Sequence, residues 1–123
     1  MDITPLVPKD KKNITGYGNG AFKVNNEPHE GSVIILPDSV LSWNVNDFAK
    51  FNAEEILPLI GKSNIEILIV GCGAEHTALP LDIKNTFREN HINIEVMETG
   101  AACRTYNVLL TEGREVGAAL IAV

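Results

Sequence analysis

Residues 95–114 place the end of a strand, the start of a helix and the end of that helix in one short segment. Thr99 is a residue type that caps helix N-termini, because its hydroxyl can accept hydrogen bonds from amides of the next turn. Gly113 stands where helices most often end in a left-handed conformation. The segment therefore predicts a helix that Thr99 caps and that ends near Gly113, directly after a strand.

The second half of the chain alternates apolar, β-branched runs with helical patterns. This order predicts an α/β layer with largely parallel strands and right-handed crossovers. Ligands of such sheets bind beyond the carboxyl ends of the strands, so residues 71–79 and 98–103 should lie side by side. We call these two segments the crest. The predicted strands cover residues 65–71, 92–97 and 116–123, and the predicted helices cover residues 81–90 and the segment between Thr99 and Gly113.

The first half of the chain predicts an N-terminal antiparallel β meander followed by short elements. Its three strands are expected at residues 14–17, 21–24 and 32–36, with a turn at Asn25 and Asn26. Residues 33–36 are continuously apolar, so this strand should be covered on both faces. The pattern then predicts a strand at residues 40–43, a helical turn around Phe48, and a helix that begins after Asn52 and ends near Gly61.

Composition limits the classes of protein that the chain can belong to. With 123 residues, 45% of them hydrophobic and 21% charged, it is expected to form a single soluble domain over residues 14–123, preceded by an arm at residues 1–13. No apolar run is long enough to span a bilayer and no signal peptide is recognisable, so we expect a cytoplasmic protein without membrane insertion. The net charge of −6 argues against a nucleic-acid partner.

Metal and cofactor chemistry have little support in the sequence. The histidines at positions 29, 76 and 91 are scattered and have no companions at ligand spacing. Cys72 and Cys103 form no CxxC pair, and a cytosolic location would keep them reduced. We therefore assign no metal, no cofactor and no catalytic residue.

The loop Gly71-Cys72-Gly73 follows an apolar strand, which suggests a phosphate-binding turn. The match is poor, because the third glycine of a GxGxxG motif is replaced by His76. A tight strand-to-helix turn is the favoured interpretation, and nucleotide binding is the alternative.

Cys103 would lie in the first turns of the helix that follows Thr99, where the helix dipole lowers a thiol pKa. His76 on the neighbouring loop could then act as its base. The competing interpretation is a buried cysteine, which the small apolar neighbours Ala101 and Ala102 favour.

Arg104 carries a positive charge near a helix N-terminus, where the dipole opposes it. It therefore calls for a partner, either a carboxylate of the crest or a bound anion; the carboxylate clamp is favoured. Tyr106 belongs to the stripe of this helix that should face the core. Arg104, Asn107 and Thr111 share a polar face that is either solvated or presented to a partner. The candidate carboxylates are Glu75, Glu95 and Glu98.

The string from Glu95 to Asn107, followed by Glu112-Gly113-Arg114 and an apolar C-terminal run, resembles a widespread family of small domains of unknown function. Its members include the mitochondrial respiratory complex I assembly factor 3 and an adipogenesis-associated cytosolic protein. The resemblance covers about residues 14–123 and implies a three-layer α/β fold with a mixed central sheet. It also implies a role in assembling a larger complex through protein contacts. This chain begins almost directly with the domain, as a bacterial cytoplasmic member would.

Two functions follow as hypotheses, with thiol chemistry at Cys103 a remote third. The first is a non-enzymatic assembly or protein-binding module, which the family resemblance links to respiratory complex assembly. It would hold a protein partner through the crest around Arg104, Tyr106 and the Gly71–His76 loop, or through an exposed sheet edge; a homo-oligomer is left open. The second is a domain that binds a small molecule or an anion, such as a carboxylate or a phosphate, through the amides of Gly73 and Gly100 and the guanidinium of Arg104. The candidate binding residues are Gly71, Gly73, His76, Thr99, Gly100, Cys103, Arg104, Tyr106 and Asn107.

Overall fold

A computed structural model of the chain describes residues 11–123. Most of the arm predicted at residues 1–13 lies outside the described residues. The described part forms eight strands, three α-helices and a short 3₁₀ helix. In chain order they are β1 (Ile14–Gly18), β2 (Ala21–Val24), β3 (Glu27–Glu30), β4 (Val33–Leu36), β5 (Ser39–Ser42), the 3₁₀ helix (Phe48–Lys50), α1 (Ala53–Ile60), β6 (Ile67–Gly71), α2 (Leu81–Glu89), β7 (Asn93–Met97), α3 (Thr99–Thr111) and β8 (Val116–Leu120).

The central sheet has five strands in the order β5-β4-β8-β6-β7. Strand β6 is parallel to both β7 and β8, whereas β4 is antiparallel to both β5 and β8. The sheet is therefore mixed, and its parallel part is the half in which α2 and α3 make the crossovers. All residues of β4, β6 and β8 are buried, as expected for strands that are covered on both faces.

Two apolar clusters, one on each face of this sheet, confirm a three-layer α/β architecture. On one face, Leu68 of β6 belongs to a cluster with Phe87 of α2, and α1 contributes to the same cluster. On the other face, Ile69 belongs to a cluster with Tyr106 of α3 and Phe22 of β2. Alternate residues of one strand thus enter opposite layers, because side chains alternate across a sheet. The chain has enough apolar positions to fill both layers.

The N-terminal meander exists, but one of its predicted strands is wrong. Strands β1, β2 and β3 form the three-stranded antiparallel sheet, whereas β4, predicted as the third strand of the meander, belongs to the central sheet. The actual third strand has the sequence Glu-Pro-His-Glu and lacks an apolar alternation. It pairs with β2 through a hairpin turn at Asn25 and Asn26, whose φ angles of 51° and 67° suit a type I′ turn.

Helix α3 ends as the sequence predicts. Gly113 has a φ of 79°, and its N–H donates to the carbonyl of Leu110 at 3.0 Å. The N–H of Arg114 donates to the carbonyl of Leu109 at 3.0 Å, which completes a Schellman motif. The helix therefore stops where the chain turns back toward β8.

Candidate functional site

The two segments of the crest lie side by side, as predicted. The N–H of Thr99 donates to the carbonyl of Gly73 at 2.9 Å, and the N–H of Gly73 donates to the hydroxyl of Thr99 at 3.0 Å. These reciprocal bonds join the loop after β6 to the first residue of α3. The crest is thus a fixed junction at the carboxyl ends of the parallel strands, where α/β proteins place their sites.

Thr99 does not cap α3, so this prediction is wrong. Glu98 occupies the N-cap position without a side-chain hydrogen bond, and Thr99 is the first helical residue. The Thr99 side chain is fully buried (0% exposed) and its hydroxyl donates to the carbonyl of Ile121 at 2.7 Å. The hydroxyl therefore connects the loop after β6, the start of α3 and the segment after β8.

Gly71 is required by the close approach of β6 and α3. A Cβ atom at this position would lie 2.9 Å from both the Cα and the Oγ1 of Thr99, and 3.1 Å from Leu120. Real side chains do not tolerate such distances. Gly71 therefore has a packing role at the junction.

The loop after Gly71 is a tight turn held by its own polar atoms. The Cys72 thiol donates to the carbonyl of Glu75 at 3.3 Å, and its sulfur accepts from the N–H of Thr77 at 3.3 Å. Gly73 has a φ of 113°, a conformation that favours glycine. Since the Gly73 amide is already bonded to Thr99, an anion would have to displace that bond to use it.

Cys103 does not have the lowered pKa that a nucleophile at a helix N-terminus would need. Its side chain is only 2% exposed, and burial raises the pKa of the thiol to about 12 even though the Arg104 charge lowers it. Desolvation disfavours the thiolate more than the nearby cation favours it. The structure therefore favours the interpretation of Cys103 as a buried cysteine over thiol chemistry. His76, its predicted base, is exposed on the loop.

Arg104 is exposed, and within the described residues its side-chain partner is a hydroxyl rather than the predicted carboxylate. The guanidinium donates from Nη1 to the Tyr17 hydroxyl at 3.3 Å. Tyr17 belongs to β1 and is 46% exposed, and its hydroxyl lies where a Cβ at Gly100 would be 2.7 Å away. The absence of a side chain at Gly100 therefore makes room for the tyrosine.

Tyr17 was missed by the sequence analysis. Its one local signal is the large aromatic between Gly16 and Gly18, whose significance depends on the approach of α3. We call Tyr17, Gly100 and Arg104 the Tyr17–Arg104 surface.

Tyr106 and Asn107 hold β1 against α3. The Tyr106 ring is fully buried, its hydroxyl donates to the carbonyl of Lys12 at 2.8 Å, and burial raises its pKa. The Asn107 side chain donates to the carbonyl of Ile14 at 2.7 Å and accepts from the N–H of Ile14 at 2.9 Å. Asn107 therefore does not belong to a solvated polar face, because its side chain is hydrogen-bonded to the backbone of β1.

A cleft of about 510 Å³ opens beside the crest, between the loop after β6, the 3₁₀ helix and the C-terminal residues. Asp47, Cys72, Glu75 and Thr77 contribute polar groups to its walls. Within residues 11–123, no group of three or more His, Cys, Asp or Glu is placed to hold a metal ion. None of the helices in this part of the chain has the length and apolar character to cross a membrane.

Comparison with known proteins gives the family. A family model described as a protein of unknown function (DUF498/DUF598) matches residues 14–121. The chain belongs to this family. The resemblance noted from the sequence is thereby confirmed, since the match covers the central sheet, the meander and the crest.

Relatives of this DUF498/DUF598 chain include named assembly factors and an uncharacterized bacterial protein. The NADH dehydrogenase [ubiquinone] 1 alpha subcomplex assembly factor 3 of Drosophila melanogaster is 38% identical over 113 residues, which are 88% of this chain and 57% of the fly protein. An uncharacterized protein of Rhodobacter capsulatus is 36% identical over 88% of this chain and 82% of its own length. The chain therefore spans little more than half of the fly assembly factor.

A solved structure confirms the fold of this family member. The solution structure of a Rhodopseudomonas palustris protein is 34% identical and has a TM-score of 0.79, over 100% of this chain and 93% of the other. Several candidate residues of this DUF498/DUF598 chain are buried or bonded to β1. Buried are Thr99, Cys103 and Tyr106, and the Asn107 side chain is bonded to β1. The exposed side chains are those of His76, Arg104 and the added Tyr17.

Proposed function

We propose that the chain is an assembly or protein-binding module, and that the Tyr17–Arg104 surface contacts its partner. The observation that carries this proposal is the hydrogen-bonded pair of an exposed tyrosine and an exposed arginine, seated over Gly100. Tyrosine and arginine are enriched among the residues that dominate binding energy at protein interfaces. Their mutual hydrogen bond lowers the entropy that a partner must remove on binding.

The rigidity of the supporting elements favours the same role. Asn107 bonds both backbone groups of Ile14 at the start of β1, which fixes the strand that carries Tyr17. Thr99 fixes the start of the helix that carries Arg104. Recognition sites on rigid elements are more precise than sites on loops.

The relatives that are named assembly factors support an assembly role. This chain covers 57% of the fly protein and 59% of its Bos taurus counterpart. We extend the proposal to an action on an NADH dehydrogenase complex. We also propose that the protein acts in the cytoplasm.

Retention of a partner by the tagged chain tests the proposal. The chain would be purified gently after brief crosslinking, from cells that contain an NADH dehydrogenase complex. Tyr17→Ala and Arg104→Ala should each weaken retention, by about thirtyfold for a hot spot worth ~2 kcal/mol. Arg114→Ala is the matched control, because Arg114 is exposed beyond the other end of α3. Equal retention by all three variants would reject this surface as the contact.

A second candidate function is anion binding at the same surface. Arg104 donates to a neutral hydroxyl, so that contact leaves its charge uncompensated, and the first-turn amides of a helix have no partner within the helix. A thermal-shift screen with inorganic phosphate, organic acids and nucleotides tests this candidate. Binding should raise the melting temperature, and Arg104→Ala should remove the rise. A flat screen of the unaltered chain would exclude the candidate.

A further inference from the structure

Among residues 11–123, strand β7 is an open edge of the central sheet, since it pairs only with β6. The N–H of Asn93 donates to the carbonyl of Glu66 at 2.8 Å, and the carbonyl of Met97 accepts from the N–H of Cys72 at 2.9 Å. The backbone groups of alternate residues in β7 therefore point toward β6. Since the intervening residues present theirs to the other side, the N–H and carbonyl groups of Ile94 and Val96 point out of the sheet.

A groove of about 480 Å³ lies beside this edge. Its walls include Ile94 and Glu95 of β7, Glu66 before β6, and two cations of α2, Lys84 and Arg88. Lys84 and Arg88 are four residues apart, so they lie one above the other on the same face of the helix. The groove therefore carries both signs of charge, and its two exposed cations lie on the α2 side.

The alternation of β7 places Glu95 on the face of the sheet opposite to the cations of α2. Ile94 belongs to the apolar cluster of the α2 layer and Val96 packs against it, so Glu95 points to the opposite face. An added strand would place every second side chain on the α2 face, beside Lys84 and Arg88. Acidic side chains at those positions would meet cations, whereas side chains on the other face would meet Glu95.

We propose that the β7 edge accepts an extended segment of a partner protein by strand addition, and that this segment carries acidic side chains at alternate positions. Main-chain hydrogen bonds to Ile94 and Val96 supply the affinity, and the cations of α2 select the charge of the segment. This inference rests on the proposed protein-binding function and names a second contact together with the chemistry of its occupant.

A second copy of the chain is a less suitable occupant. In a two-fold antiparallel pairing centred on β7, Glu95 would lie directly opposite Glu95 of the copy, and like charges in that position destabilise a sheet. A partner strand with a neutral or basic residue opposite Glu95 avoids this repulsion.

Amide exchange in the full-length, ¹⁵N-labelled chain tests the inference. The probe is a capped peptide in which glutamate alternates with threonine, and the comparison peptide has lysine in place of glutamate. The glutamate peptide should slow hydrogen exchange at the amides of Ile94 and Val96, and it should bind more tightly than the lysine peptide. Lys84→Glu should weaken its binding about fivefold, more than Lys62→Glu, which makes the same charge change at an exposed site after α1.

A backbone variant tests the main-chain bonds independently. Val96→Pro removes the outward N–H and should abolish peptide binding, whereas Val96→Ala keeps that group and should preserve it. If Val96→Pro does not fold, the comparison of Lys84→Glu with Lys62→Glu decides the question.

Three results would overturn the inference: unchanged exchange in β7, protection of the other sheet edge at β5, or protection of β7 that rises with chain concentration in the absence of peptide. The proposed function and this inference fail separately. A chain that binds the peptide but retains no partner contradicts the former, and a chain that retains a partner but shows no protection of β7 contradicts the latter.

Discussion

Replacing Thr99 by valine tests whether one buried hydroxyl holds the crest together. The substitution keeps the side-chain volume and removes two hydrogen bonds, one from the Gly73 amide at 3.0 Å and one to the Ile121 carbonyl at 2.7 Å. Each bond contributes ~1 kcal/mol net, and leaving the two backbone groups without their partner adds ~1 kcal/mol or more. We expect the free energy of unfolding to fall by ~3 kcal/mol, out of a total of roughly 5–15 kcal/mol.

The assay is urea unfolding followed by circular dichroism, together with a thermal melt. For a chain of this length, ~3 kcal/mol corresponds to a decrease in the melting temperature of about 12 °C. Thr99→Ser keeps the hydroxyl and should cost much less. Thr111→Val is the matched control, because the exposed Thr111 hydroxyl only donates to the carbonyl of Asn107 in its own helix. A Thr99→Val variant within ~0.5 kcal/mol of the unaltered chain would refute the reasoning.

Three further predictions concern the junction, the buried thiol and the meander. Gly71→Ala should destabilise the chain by ~2 kcal/mol in urea unfolding because its Cβ would overlap α3, whereas Gly16→Ala, whose Cβ would have ordinary contacts, should change little; equal effects would contradict the packing role. Cys103 should resist alkylation in the folded chain. Because its folded pKa of about 12 exceeds its ordinary value of 9.0, its contribution to the stability of the fold should be complete below pH 9 and lost between about pH 9 and 12. A Cys103→Ala variant with the same decline in stability at alkaline pH would disprove this. Asn107→Leu should cost ~2 kcal/mol and speed exchange of the Ile14 amide, while Asn107→Asp keeps the acceptor for that amide and should retain its protection; fast exchange in both variants would contradict the assigned acceptor.

Elements defined by local periodicity could be predicted from the sequence. The helix that ends at Gly113 and the buried strand β4 both have strong local signals, a C-terminal glycine in one case and a continuous apolar run in the other. The strand Glu27–Glu30 has neither signal, because pairing with β2 and the turn before it create the strand. Proline and charged residues suit it to the edge of a sheet, which a single-sequence pattern does not show.

The adjacency of the two crest segments could be predicted from the sequence, but the roles of their residues could not. The adjacency of the two crest segments follows from the general geometry of parallel sheets. The roles of Thr99 and Asn107 depend on partners far away in the chain, Ile121 and Ile14 respectively. Burial raises the pKa of the Cys103 thiol, and the sequence does not show which layers cover this end of the helix.

The central position of β8 has a consequence for the order of folding. Val33 of β4 pairs with Leu120 of β8, so the middle of the sheet is completed by a segment that is synthesised after all the other described strands. Until β8 emerges from the ribosome, β5-β4 and β6-β7 are two separate ribbons with unpaired inner edges. Such long-range pairing slows folding, and exposed edges in a nascent chain favour aggregation. We therefore expect the complete sheet, and the crest that needs the Ile121 carbonyl, to form only after β8 has left the ribosome.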